Sequence, residues 1–125
     1  LFGFVIGAET PESKLGELAE LIGRYEGFYK EGSRAQRNNN PGNLKGVSWS
    51  TTKTGLDNKG FAIYATEQDG WNDLLAFLGS KANEGYNISE LMYLYAPKGE
   101  NNTESYIDFI AKSLGVARDV RLNKL

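Results

Sequence analysis

The chain has 125 residues, 40% of them hydrophobic and 24% charged, which are the proportions of one globular domain with one sizeable core. It contains neither histidine nor cysteine, which excludes Ser-His-Asp and Cys-His nucleophilic catalysis, thiol redox chemistry, disulfides and the usual zinc sites. The formal charge of −2, with 14 Lys and Arg scattered along the chain, argues against a nucleic-acid partner. Any chemistry must then come from carboxylates, hydroxyls, amides, Lys or Arg.

The opening LFGFVIGA is apolar for eight residues, well short of the roughly 20 that span a bilayer, so no transmembrane segment is expected. It reads as a strand packed on the domain or, since the chain begins without Met, as the remnant of a longer anchor or signal. Thr10-Pro11-Glu12 supplies a hydroxyl N-cap, a proline at the first helical position and an acid in the first turn. Leu15, Leu18, Ala19, Ile22 and Tyr25 then recur at helical spacing, with Glu17, Glu20 and Arg24 opposite and Gly27 as the stop. Arg37 to Lys45, RNNNPGNLK, is a dense turn signal. From Leu44 to Thr66, Val47, Trp49 and a Thr-rich run lead through LDNKG to FAIY, which alternates around Phe61 and Ile63, predicting a small antiparallel hairpin or three-stranded patch.

Thr66 with Asp69 predicts a helix carrying Trp71, Leu74, Leu75 and Leu78 and ending near Gly85. Asn87 with Glu90 opens a short helix through Leu91, Met92 and Tyr95 that Pro97 ends. Asn101 with Glu104 opens a last one carrying Tyr106, Ile107 and Ile110 to Gly115. The fold class is α+β, mostly helical, with one small antiparallel β element, and residues 1–125 form a single domain.

Glu26 shares a helical face with Leu15 and Ile22, so an acid stands on an apolar stripe beside a bend. Either it escapes to solvent at a frayed helix end, or it is desolvated there, which raises a carboxyl pKa toward what a general acid requires. The four amides of RNNNPGNLK fit a solvated loop, a metal cage, a nucleic-acid reader or a sugar-binding lip. Calcium and magnesium sites draw on several carboxylates, and this run has none, so no metal or cofactor is expected.

Four strings taken together, YEGFY around Glu26, QRNNNPGNLKG, FAIYATEQDGW and YAPKGENNTESYI, resemble phage and prophage lytic transglycosylase-like domains of the lysozyme superfamily over Leu15 to about Val116. The resemblance implies a lysozyme-like fold, a virion-associated or cell-envelope setting, and cleavage of peptidoglycan glycan strands at the β-1,4 bond between N-acetylmuramic acid and N-acetylglucosamine. It implies Glu26 as the general acid, facing a groove. It also implies Asn39, Asn40 and Asn43 as amides that hold the bend or meet N-acetyl groups, and Tyr64, Tyr95 and Tyr106 as cleft-lining aromatics. Glu100 and Asn101 open the last helix, with Asn101 as its cap. Hydrolytic relatives place an Asp after the glutamate, where this chain has asparagines. That loss points to transglycosylation, in which the substrate's own N-acetyl and 6-hydroxyl groups complete the reaction; Glu31, Asp57 and Glu67 are outside candidates for a second acid. A virion or tail module that binds the wall or neighbouring proteins without catalysis is the alternative.

Overall fold

Helix α1 (Leu15–Tyr25) forms on the predicted apolar period: Leu18, Ala19 and Ile22 are buried, while Arg24 pairs with Glu20 at 3.3 Å on the other side. The computed structural model describes residues 14–46, 53–96 and 102–125. The expectations at LFGFVIGA, Thr10-Pro11-Glu12, Val47, Trp49, Pro97, Glu100 and Asn101 lie outside the described residues. After α1 come α2 (Arg34–Arg37), β1 (Lys53–Leu56), β2 (Ala62–Tyr64), α3 (Glu67–Asn83), α4 (Ile88–Tyr95), α5 (Thr103–Leu114) and a closing 3-10 turn (Leu122–Lys124). The protein is mostly helical with one small antiparallel sheet, an α+β arrangement.

The chain divides into two compact units. In the first, Ala19–Leu78, β1 pairs with β2 in the register Lys53↔Tyr64, Gly55↔Ile63 and Leu56↔Ala62. Thr54 is the extra residue of a β-bulge, and its hydroxyl donates to the Ile63 carbonyl at 3.2 Å. On the other side of β2 an isolated antiparallel bridge joins Lys45 to Phe61, a rudiment of the third strand. The alternation in FAIY is real, but its buried phase is Ala62 and Tyr64, whereas Phe61 and Ile63 are half-exposed. The Tyr64 hydroxyl donates to buried Asp73, and the Phe61 ring instead carries Arg34 and Lys45 at 4.7 and 4.9 Å from its centroid.

Two glycines inside helices set where the Asn-Pro-Gly loop lies. A Cβ at Gly70, in the first turns of α3, would stand 1.9 Å from the Asn39 carbonyl oxygen and 2.8 Å from Pro41 Cδ. One at Gly23 of α1 would stand 2.7 Å from the Trp71 ring and 3.6 Å from Pro41 Cβ. The loop backbone therefore rests directly on α3, and the Pro41 ring lies against both bare glycine positions.

In the second unit, residues 14–18 with Gly79–Leu125, α4 and α5 pack together and bury Ile88, Leu91, Met92, Tyr106, Ile107 and Ile110. The predicted capping box is present: the Asn87 side chain accepts the Glu90 N–H, and the Glu90 carboxylate accepts the Asn87 N–H. At α5 the cap is Asn102 rather than the expected Asn101, and its side chain accepts the Ser105 N–H. Thr103 sets this register, because its buried hydroxyl donates to the Ala96 carbonyl at 2.6 Å. Gly115 closes α5 at φ +70°, and Lys14 Nζ donates to the Leu114 carbonyl at that electronegative end. The C-terminal tail turns back on α4, where Val120 and Arg118 carbonyls accept the otherwise unpaired Ile88 and Ser89 N–H groups.

The two glycines of α3 give opposite expectations. Gly70→Ala must displace the Asn39 backbone and should lose about 2 kcal/mol or more of stability. Gly79→Ala, in the same helix with nothing within 4 Å among the described residues, should gain up to about 1 kcal/mol. Urea melts of the two variants check both signs.

Candidate functional site: an amide loop against the end of α1

The end of α1 is set by a left-handed glycine. The Glu26 N–H still bonds the Ile22 carbonyl at 2.8 Å; then Gly27, at φ +85°, sends its N–H to Arg24 (3.2 Å) and Phe28 sends its own to Gly23 (2.9 Å). This is the glycine-terminated helix end in which the orphan carbonyls are taken up by the two residues that follow. Glu26 is the cap residue, half-buried, immediately before the reversal. Ser33 secures the next turn by donating to the Gly27 carbonyl at 2.6 Å and accepting the Gln36 N–H at the start of α2. Phe28 folds back to meet Trp71 edge-on at 5.4 Å.

Each asparagine of the run has a separate task. Asn38 Nδ2 donates to Asp57 Oδ2 at 2.9 Å, and Asn39 Nδ2 to the Tyr64 carbonyl at 3.0 Å. Asn40 is fully buried: its Nδ2 donates to the carbonyls of Leu44 (3.0 Å) and Ala62 (2.9 Å), and its Oδ1 accepts the Leu44 N–H (3.0 Å). Asn43 Nδ2 donates to Glu26 Oε1 at 3.1 Å. Asn39 and Asn43 stand at φ +53° and +47°, a region that asparagine tolerates better than other side-chain-bearing residues. At Asn40 a short side chain that both donates and accepts is what the position requires. Asn43 Oδ1 is buried with no hydrogen-bond partner among the described residues, an uncommon and costly state beside an acid.

Asp57 is committed elsewhere. Its Oδ1 accepts the N–H groups of Lys59 (2.9 Å) and Phe61 (3.0 Å), organising the LDNKG turn, and its Oδ2 takes Asn38 and, at 3.1 Å, Arg34 Nε. Desolvation pushes its carboxyl up, but the Asn38 amide, the two backbone N–H groups and the Arg34 guanidinium together outweigh that and hold it at about 2. Glu31 and Glu67 are exposed.

The structure places the expected aromatic and amide contacts unevenly. Tyr64 and Tyr106 are buried to 2% exposure or less, which makes them core rather than cleft-lining residues, and Asn40, with no exposed surface, holds the bend. Tyr64 is held there by Asp73, with burial and that carboxylate pushing its phenol far up. Tyr95 is half-buried in the other unit, its ring edge-on to Tyr106 at 6.4 Å. Asn39 and Asn43 are half-buried in the loop that reaches Glu26. Exposed Tyr29, which the sequence did not single out, donates to Glu20 at 2.9 Å on the Glu20–Arg24 side of α1, and burial together with Glu20 pushes its phenol up to about 12. A shallow groove bounded by Tyr86, Tyr93 and Leu94 contains none of the expected residues. Among the described residues no cluster of three His, Cys, Asp or Glu is arranged to hold a metal ion, and no helix is long and apolar enough to cross a membrane.

The chain is 31% identical over 100 residues to Protein P5 of Pseudoalteromonas phage PM2. The match takes in 74% of this chain and 62% of that protein, so the chain spans about three fifths of the curated phage relative's length. No family model matches the chain, and no solved structure matches it.

Because the folded Asp57 carboxyl sits below its ordinary 3.8, its contribution to stability is complete above pH 3.8 and is lost as pH falls through about 2. Thermal midpoints should therefore drop between pH 4 and pH 2, and Asp57→Asn should lower the midpoint at pH 7 while flattening that acid limb. An unchanged acid limb in the variant contradicts the assignment.

Proposed function

We propose that the chain is a peptidoglycan-cutting module of lysozyme-like fold, a lytic transglycosylase in which Glu26 is the single general acid and base. The observation that carries this is the pairing of Glu26 with Asn43 while Asp57 is consumed by the hairpin turn. A glycosidase that hydrolyses with two carboxyl groups needs both free at a defined separation, and that is not the chemistry these residues favour. With one acid, the Glu26 proton goes to the glycosidic oxygen as the bond from muramic C1 to that oxygen breaks. The 6-hydroxyl of the same sugar then bonds to C1 and returns its proton to Glu26, closing a 1,6-anhydro ring with no water consumed.

Glu26 has the surroundings of a positioned acid. It caps α1, where the helix dipole disfavours a negative charge. Asn43 fixes one carboxyl oxygen from a left-handed backbone position and carries an unpartnered buried oxygen, and strained or unsatisfied groups of this kind concentrate at functional sites. Similarity to a phage protein supports a virion-associated setting, with peptidoglycan strands as substrate and other virion or tail proteins as neighbours.

Glu26→Gln retains an oxygen for the Asn43 amide and removes the dissociable proton. It should fold with a melting temperature at or above wild type and lose at least about 10²-fold in muropeptide release from purified sacculi. A Gln variant that cuts at near wild-type rate removes Glu26 from catalysis. A wild type inactive on every peptidoglycan tried supports the non-catalytic virion module.

A further inference from the structure

Cations outnumber acids over one stretch of the chain, although the chain as a whole is acidic. Residues 28–60 carry six Lys and Arg against two Asp and Glu, whereas the rest of the chain carries eight against fourteen. Within that segment the Arg34 guanidinium and the Lys45 ammonium both lie within 5 Å of the Phe61 ring centroid. Lys59 belongs to the hairpin turn, whose next residue, Gly60, accepts the N–H of Gly46, the neighbour of Lys45, at 2.9 Å. Of the two acids, Asp57 is tied to Arg34 and the turn. Lys45 and Lys59 are exposed and form no ion pair among the described residues.

We propose that this face, Arg34 and Lys45 over Phe61 with Lys59 in the adjoining turn, is an anion-binding surface that takes the carboxylate-bearing peptide stems of the cell-wall polymer, a proposal that rests on the substrate named above. Lys45 is two residues from Asn43, so the face is continuous in the chain with the loop that grips Glu26. The ring and Asp57 hold Lys45 and Arg34 in place, which reduces the ordering cost of meeting an anion. A net acidic chain can thereby approach an anionic polymer with its local positive field leading.

The test uses Glu26→Gln as background, so that the polymer is not consumed. Retention is measured on intact sacculi, on chitin, which has the sugars without peptides, and on single-stranded DNA. Added Lys45→Glu and Lys59→Glu should weaken retention on sacculi at least about tenfold and leave chitin retention unchanged, with a melting temperature lowered by no more than loss of the Lys45–Phe61 contact accounts for. Rising salt should weaken sacculus retention in the background protein. Unchanged retention on sacculi, equal loss on chitin, or tighter Lys-dependent binding to DNA than to sacculi overturns the proposal. Lysine-dependent retention on sacculi by a wild type that releases no muropeptides overturns the transglycosylase reading and leaves this surface standing.

Discussion

One buried amide organises the Ala19–Leu78 unit. Asn40 has no exposed surface, and it satisfies the N–H and C=O of Leu44 and the C=O of Ala62 with a single side chain. Each buried backbone group left unpaired costs about 1–3 kcal/mol, against a total stability of about 5–15 kcal/mol for a typical domain. The loop's closure and its attachment to β2 are thus one event. Pro41 follows directly and needs the bare backbone of Gly70 to lie where it does, and the Trp71 ring needs that of Gly23, so both helices accept a glycine penalty of about 1 kcal/mol each for a close approach.

That closure also brings Asn43 to Glu26. With Asn40 fixing the bend, the Asn43 N–H bonds the Asn40 carbonyl at 2.9 Å, and its side chain is brought to Glu26. The acid itself is placed by the left-handed Gly27, which ends α1 at the residue where the loop can reach it. Asp57 serves the hairpin as Asn40 serves the loop, gathering two backbone N–H groups, an amide and a guanidinium on one carboxylate. Four amides in one run therefore divide into three that build the loop and hairpin, one of them through Asp57, and one that holds Glu26.

Most of the helical framework is legible in the sequence because it rests on local rules. The α1 period, the Gly27 stop, the Asn87–Glu90 box and the Thr66 cap all depend on residues within one or two turns. The one-residue shift of the α5 cap came from Thr103 reaching Ala96, seven residues away, which capping chemistry alone does not weigh. The hairpin was visible through LDNKG, but its buried phase depended on Asp73 and on cations above Phe61, both distant in sequence. Tyr64 and Tyr106 carry the same chemistry in a core as in a cleft, and only packing separates the two. The helical glycines Gly23 and Gly70 interrupt apolar periods, which marks the close approach of the Trp71 ring and of the Asn39 backbone respectively.

The division of labour within the amide run is tested most directly by replacing Asn43 with glycine. Glycine adopts φ +47° without strain, so Asn43→Gly removes the grip on Glu26 and the orphan oxygen while leaving the bend possible. Stability should fall by no more than about 1 kcal/mol, while muropeptide release per folded molecule should fall at least about tenfold. Release at the wild-type rate from a normally folded Asn43→Gly protein contradicts the account, because the loop is then architecture alone.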